Sequence, residues 1–274
     1  MMKTTLTLFF VSICLACLAL NPSRTYKQRP DKFNIKYSEV KVNTKDGSQL
    51  NLWYFPTLNP SKRLVIIAHN GNGNMADYLR RVDQFKRLGY NVVTFDYRGF
   101  GESSEFEIAG DMYIYAQFTT DLEAVIDYCK TNYQETFDVY GFGIGAGIAL
   151  GVGYTRPELV RIIADTPFLS LDDLEGKYDQ QKHWMEMPFE NFNENFEPIN
   201  ALRKESGENL KGILLIIGSN DPLMRRNDME KLRQLDKSLI TPIEVVNNPS
   251  RMDNFKANKE KYFSEISAFI DKTQ

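Results

Sequence analysis

The sequence predicts an α/β fold in which a mostly parallel sheet carries helices on both faces. Two observations predict it: short apolar runs recur along the chain, and segments with helical apolar spacing separate them. Composition agrees. Of 274 residues, 42% are hydrophobic and 12% aromatic, enough for a substantial core. Lys plus Arg numbers 33 and Asp plus Glu 36, so a net charge of −3 gives no electrostatic footprint for nucleic acid. Three cysteines exclude a disulfide scaffold, and only two histidines are present.

The elements follow in order. Val40, Val42, Leu50, Leu52 and Tyr54 alternate around Asp46-Gly47, predicting a β-hairpin. Leu64 to Ala68 is a buried strand that runs into Asn70-Gly71-Asn72-Gly73-Asn74. Leu79, Val82, Phe85 and Leu88 share one face of a helix that Gly89 stops. Asn91 to Phe95 is the next strand, closed by Asp96-Tyr97-Arg98-Gly99. A long helix carries Ile114, Phe118, Leu122, Val125, Ile126, Cys129 and Tyr133, which makes Cys129 a core residue rather than a reactive one. Phe137 to Tyr140, Arg161 to Ala164, Gly212 to Ile217 and Ile243 to Val246 are further strands, and Phe263, Ile266 and Ile270 mark the final helix. The alternation breaks at about residues 170–207, which have the look of an inserted cap.

Residues 1–20 are expected to be a targeting segment, 21–38 a linker, and 39–274 the domain. Lys3 precedes an apolar stretch from Leu6 to Leu20, nearer the ~7–15 residues of a signal-peptide core than the ~20 of a membrane span. Cys14-Leu15-Ala16-Cys17 resembles a bacterial lipobox, which would make Cys17 the lipidated residue; simple cleavage near Ala19 is the other expectation. Either implies export, to the periplasm, to the outer membrane as a lipoprotein, or into the medium. Membrane attachment would come only through the N-terminal segment, and only if Cys17 is lipidated.

Four segments in order resemble the α/β-hydrolase superfamily, and are most similar to its acylglycerol-lipase and serine-aminopeptidase-like branch. His69-Asn70-Gly71-Asn72-Gly73-Asn74 stands where the superfamily carries its oxyanion loop, and Asp96 to Ser103 is close to the signature after the following strand. Gly141-Phe142-Gly143-Ile144-Gly145 falls at the nucleophile elbow, usually Gly-x-Ser-x-Gly, and Gly218-Ser219-Asn220-Asp221 at the turn bearing the triad acid. The resemblance spans about residues 39–272 and implies an α/β-hydrolase fold with a small cap.

The chain departs from the pattern where chemistry is done. Gly143 replaces the nucleophile, Arg251 falls where the triad histidine is expected, and no histidine follows His183; only Asp221 remains. Acyl transfer on this fold needs an attacking atom and a proton shuttle. Glycine offers no atom, and a guanidinium with a pKa above about 12 accepts no proton near neutrality. Backbone N–H groups of Asn70, Gly71 and Ile144 are expected to keep an oxyanion-type pocket. Without its usual side chain the elbow is expected to relax, and Asp221 to pair with Arg251.

The leading expectation is a non-catalytic protein that binds a small apolar ligand or an envelope protein in a cleft lined by Phe168, Trp184, Phe189 and Phe192. An active serine-type esterase, lipase or peptidase of the same fold is the alternative. A distant one is a dinucleotide-binding oxidoreductase, from Gly141-x-Gly143-x-x-Ala146 with Asp165 about 20 residues on. His69 and His183 read as structural. Neither has partners at metal-ligand spacing, so no metal or cofactor is expected.

Overall fold

The computed structural model describes residues 20–57, 63–245 and 253–274. Eight strands form one sheet: β1 (Ser38–Asn43), β2 (Gln49–Phe55), β3 (Leu64–Ala68), β4 (Asn91–Phe95), β5 (Phe137–Phe142), β6 (Leu159–Asp165), β7 (Gly212–Gly218) and β8 (Ile240–Val245). Their order across the sheet is β8-β7-β6-β5-β3-β4-β2-β1, and β2 alone runs antiparallel to its neighbours. The hairpin pairs Val40 with Leu52 and Val42 with Leu50, with Gly47 at φ 87° in its turn. The fold is the α/β-hydrolase fold.

Pleating sends alternate strand residues into two separate cores. Ile66, Val139 and Leu215 face a core shared with α2 (Gln117–Asn132) and α3 (Ile144–Gly153). Ile67, Tyr140 and Leu214 face a second one, closed by α1 (Leu79–Arg87) and the C-terminal helix (Lys259–Lys272). Between β6 and β7 run α4 (Leu171–Gln180), a loop, and the short α5 (Pro198–Ala201); α6 (Arg226–Leu235) follows β7. Tyr113 and Glu186 exchange backbone contact across the loops above the sheet, the Tyr113 N–H donating to the Glu186 carbonyl at 3.0 Å.

Three boundaries differ from expectation. The long helix begins at Gln117, because Ile114 is buried from the loop before it. The last strand starts at Ile240, before Pro242; β8 is an edge strand, where a missing N–H is tolerated. Residues 21–38 do not hang as a linker. Asn21–Pro22 pairs in parallel with Asn72–Gly73, and Leu20 is buried.

Candidate functional site

Gly143 sits between β5 and α3, at the C-terminal ends of the parallel strands, where ligands of open α/β sheets are held. Its φ is 58° and ψ −123°, so the elbow is not relaxed. Neighbours over-determine it: the Gly143 N–H donates to the Asp165 carbonyl at 2.9 Å, and its own carbonyl accepts from Ala146 and Gly147. Gly145, Gly147 and Gly151 keep α3 close to the rest of the domain. A Cβ on them would strike the Ala68 carbonyl, the Phe168 ring and the Phe196 carbonyl respectively.

The loop after β3 spends its donors internally. The Asn70 N–H donates to the Tyr78 hydroxyl at 3.0 Å, and that hydroxyl donates back to Asn70 Oδ1 at 3.0 Å. The Gly71 N–H donates to His69 Nδ1 at 3.1 Å. Of the expected oxyanion pocket, Asn70 and Gly71 therefore present no free N–H, because the Tyr78 hydroxyl accepts the first and His69 Nδ1 the second. The Ile144 side chain packs into the same spot. A Cβ on Gly71 would lie 2.8 Å from Ile144 Cδ1 and 2.5 Å from Leu20 Cδ2.

His69 is fully buried, and burial pushes it down to about 3, so the ring is neutral near pH 7. With Nδ1 accepting, the proton belongs on Nε2, which lies 3.7 Å from Asp96 Oδ1 without a hydrogen bond. That contact is no ion pair. Asp96 is itself pushed up to about 7 by burial, and accepts from the Met75 N–H and the Tyr26 hydroxyl. The rest of its motif is structural. Arg98 binds Asp46 of the hairpin turn and Asp121 of α2, and Ser103 donates to the Asp96 carbonyl. His183 lies beside Tyr178 within the cap segment, ring centroids 5.8 Å apart.

Asp221 follows β7 and is buried. Its Oδ1 accepts from Leu223 and Met224 N–H groups at 2.8 and 2.9 Å, whereas Oδ2 has no hydrogen-bond partner among the described residues. Burial pushes the carboxyl up to about 6. Arg251 lies outside the described residues, and with it the expected Asp221–Arg251 pair; Cys17 does too.

The four expected cleft aromatics do not converge. Phe168 and Phe192 are buried in the core, Phe168 beneath Tyr113 and against Gly147, while Trp184 and Phe189 are 67% and 43% exposed. Phe168 packs against α3 at Gly147, and both it and Phe192 belong to the core on that face of the sheet. Cys129 is fully buried, and burial pushes its thiol up. Asp165 does not serve a ribose. The Tyr262 hydroxyl, the Asn254 amide and the Thr166 hydroxyl all donate to its buried carboxylate.

That carboxylate ends a polar chain that sequence reading missed. Asp253 accepts from Arg81 Nη2 at 2.7 Å, and Arg81 Nε donates to Tyr140 Oη at 2.9 Å. The Tyr140 and Tyr262 hydroxyls lie 3.0 Å apart, and Tyr262 donates to Asp165 at 2.6 Å. The one available signal was Asp165 itself, an acid closing an otherwise apolar run.

The fold, the elbow turn and the ordered loops define a protein of the α/β-hydrolase class. The family model for serine aminopeptidase, S33 matches residues 59–196, and the chain belongs to that family. An uncharacterized protein of Mycobacterium tuberculosis is 30% identical over 141 residues, 50% of this chain and 47% of that one. The α/β hydrolase domain-containing protein WAV2 of Arabidopsis thaliana is 26% identical over 160 residues, 56% of this chain and 50% of that one. The chain thus spans about half the length of these relatives. Among solved structures, the esterase Pf2001 of Pyrococcus furiosus superposes with a TM-score of 0.72 at 21% identity, covering 93% of this chain and 97% of that one, a likeness of fold.

Proposed function

We propose that this family member is a non-catalytic binding protein, exported and retaining the hydrolase scaffold without its acyl-transfer chemistry. The observation that carries the reading is Gly143, held at φ 58° and ψ −123° at the elbow with no side-chain atom to attack a carbonyl. Two further observations support it. Asn70 and Gly71 N–H groups are already engaged, and neither histidine of the chain lies after β7, where a base would serve Asp221. The elbow region then offers shape and apolar contact rather than turnover. Its partner is an apolar ligand or an envelope protein.

A chromogenic short-chain ester and a fluorophosphonate probe test this together. The expected result is no turnover above buffer and no labelled serine. Stoichiometric labelling at any serine would overturn the proposal in favour of an active serine hydrolase, the reading that the family's description favours.

A further inference from the structure

Among the described residues, three large apolar side chains are exposed: Phe33, Trp184 and Phe189. Two of them sit five residues apart in the cap, Trp184 at 67% and Phe189 at 43%. Their exposure is built into the backbone. The Glu186 N–H donates to the Asp111 carbonyl at 2.8 Å, and the Glu186 carbonyl accepts from the Tyr113 N–H at 3.0 Å, so this stretch of the cap is pinned to the loop after β4. Alternation along the extended chain then turns Met185 and Met187 into the core and Trp184 outward. Water gains nothing from an indole and a phenyl ring held out in this way, whereas the boundary between water and hydrocarbon accepts both.

Leu20 fixes where the apolar N-terminal stretch joins the domain. It is 4% exposed, above Gly71 and beside Ile144 at the start of α3, and the next residue pairs with Asn72 in the loop after β3. The junction therefore lies at the C-terminal ends of the parallel strands, the same end that carries the cap. Cys17, the residue expected to be lipidated, stands three residues earlier in the sequence, and three extended residues reach at most about 11 Å. A domain on so short a lead rests this end against the bilayer that holds the lipid. The charges beside the rings decide which lipids suit. Asp179, Glu186 and Glu190 are exposed there against Lys182, an arrangement that an anionic surface repels.

We propose that a bilayer surface without net charge is the partner of this face, with the domain anchored through Cys17 and with Trp184 and Phe189 seated at headgroup level. The inference goes beyond the non-catalytic reading and shares with it only the export of the chain.

The two tryptophans make the test direct, because Trp53 is fully buried and Trp184 reports on the cap. The full-length chain, purified in detergent, is reconstituted into phosphatidylcholine vesicles and floated. In the floated protein, phosphatidylcholine brominated high on its acyl chains should quench the Trp184 emission at least twofold, and acrylamide should barely reach it. Trp184→Phe should abolish the bromolipid effect, and Phe189→Ser, which keeps both tryptophans, should at least halve it. Replacing a third of the lipid with an anionic one should also weaken it. A floated chain whose Trp184 stays open to acrylamide and untouched by bromolipid would overturn the proposal, because the cap would then face water. So would a chain that does not float. A serine labelled by fluorophosphonate would overturn the non-catalytic reading and leave these results unchanged, so the two fail separately.

Discussion

A Cβ placed on Gly143 would stand 3.0 Å from the Cβ of Asn70, closer than ordinary van der Waals contact. The elbow and the loop after β3 leave little room for a side chain at position 143. Gly143→Ser must therefore accept both a positive φ and this contact, at a cost of about 1–3 kcal/mol. The variant should melt ~3–10 °C lower than the parent and still show no ester turnover. Calorimetry and the chromogenic assay on one preparation check both parts, and turnover in the variant would place a working base near position 143.

Asp221 should make stability depend on pH. Its folded carboxyl is pushed up to about 6 against an ordinary 3.8, so the fold favours the protonated form. The stability this provides is full below about pH 3.8 and is lost as pH rises through 6. Asp221→Asn keeps the Oδ1 that accepts from Leu223 and Met224 and removes the charge. The variant should melt ~5 °C above the parent at pH 7.5, with the gap closing by pH 4. An unchanged or lower melting temperature at pH 7.5 would mean that a cation already compensates the carboxylate.

The chain has two tryptophans, Trp53 fully buried and Trp184 67% exposed. Trp184 should supply nearly all the emission that acrylamide quenches. Trp184→Phe should shift the remaining spectrum to the blue and cut the quenching constant severalfold, with a melting temperature within about 1–2 °C of the parent, as for other exposed sites. A large loss of stability would show that the ring packs on the cap.

The central strands were legible because they are buried on both faces: Leu64–Ala68 and Asn91–Phe95 are continuous buried runs, whereas the edge hairpin was legible from its alternation. The elbow and acid turns were legible from glycine spacing, since backbone proximity there admits little else. The pairing of Asn21–Pro22 was not. It runs through backbone groups such as the Asn21 N–H, which leave no side-chain pattern, and Leu20 reads as the end of the preceding apolar stretch. The cap aromatics failed for a related reason. Composition shows that Phe168 and Trp184 exist, whereas only packing decides that one is core and the other surface. Arg81, in the helix read only from its apolar residues, is 4% exposed because Asp253, Tyr78, Tyr140, Phe142 and Phe255 surround its guanidinium.

That buried arginine carries the largest stability prediction. Its guanidinium donates to Asp253 and Tyr140 and lies 4.8 Å from the Phe255 ring centre, tying α1 to the turn that opens at Asp253. Removing one member of a buried pair leaves the other charge uncompensated, at about 3–5 kcal/mol. Arg81→Met keeps the apolar stem and should lose that much. Asp253→Asn preserves the side-chain acceptor that the Lys256 N–H uses. In the Arg81→Met background it should restore about half the loss, because the stranded carboxylate disappears. Denaturant unfolding of the parent, both single variants and the double variant gives the coupling directly. Strict additivity of the two losses would mean that Asp253 draws its compensation elsewhere, and that the Arg81 ladder to Tyr140, Tyr262 and Asp165 stands without it.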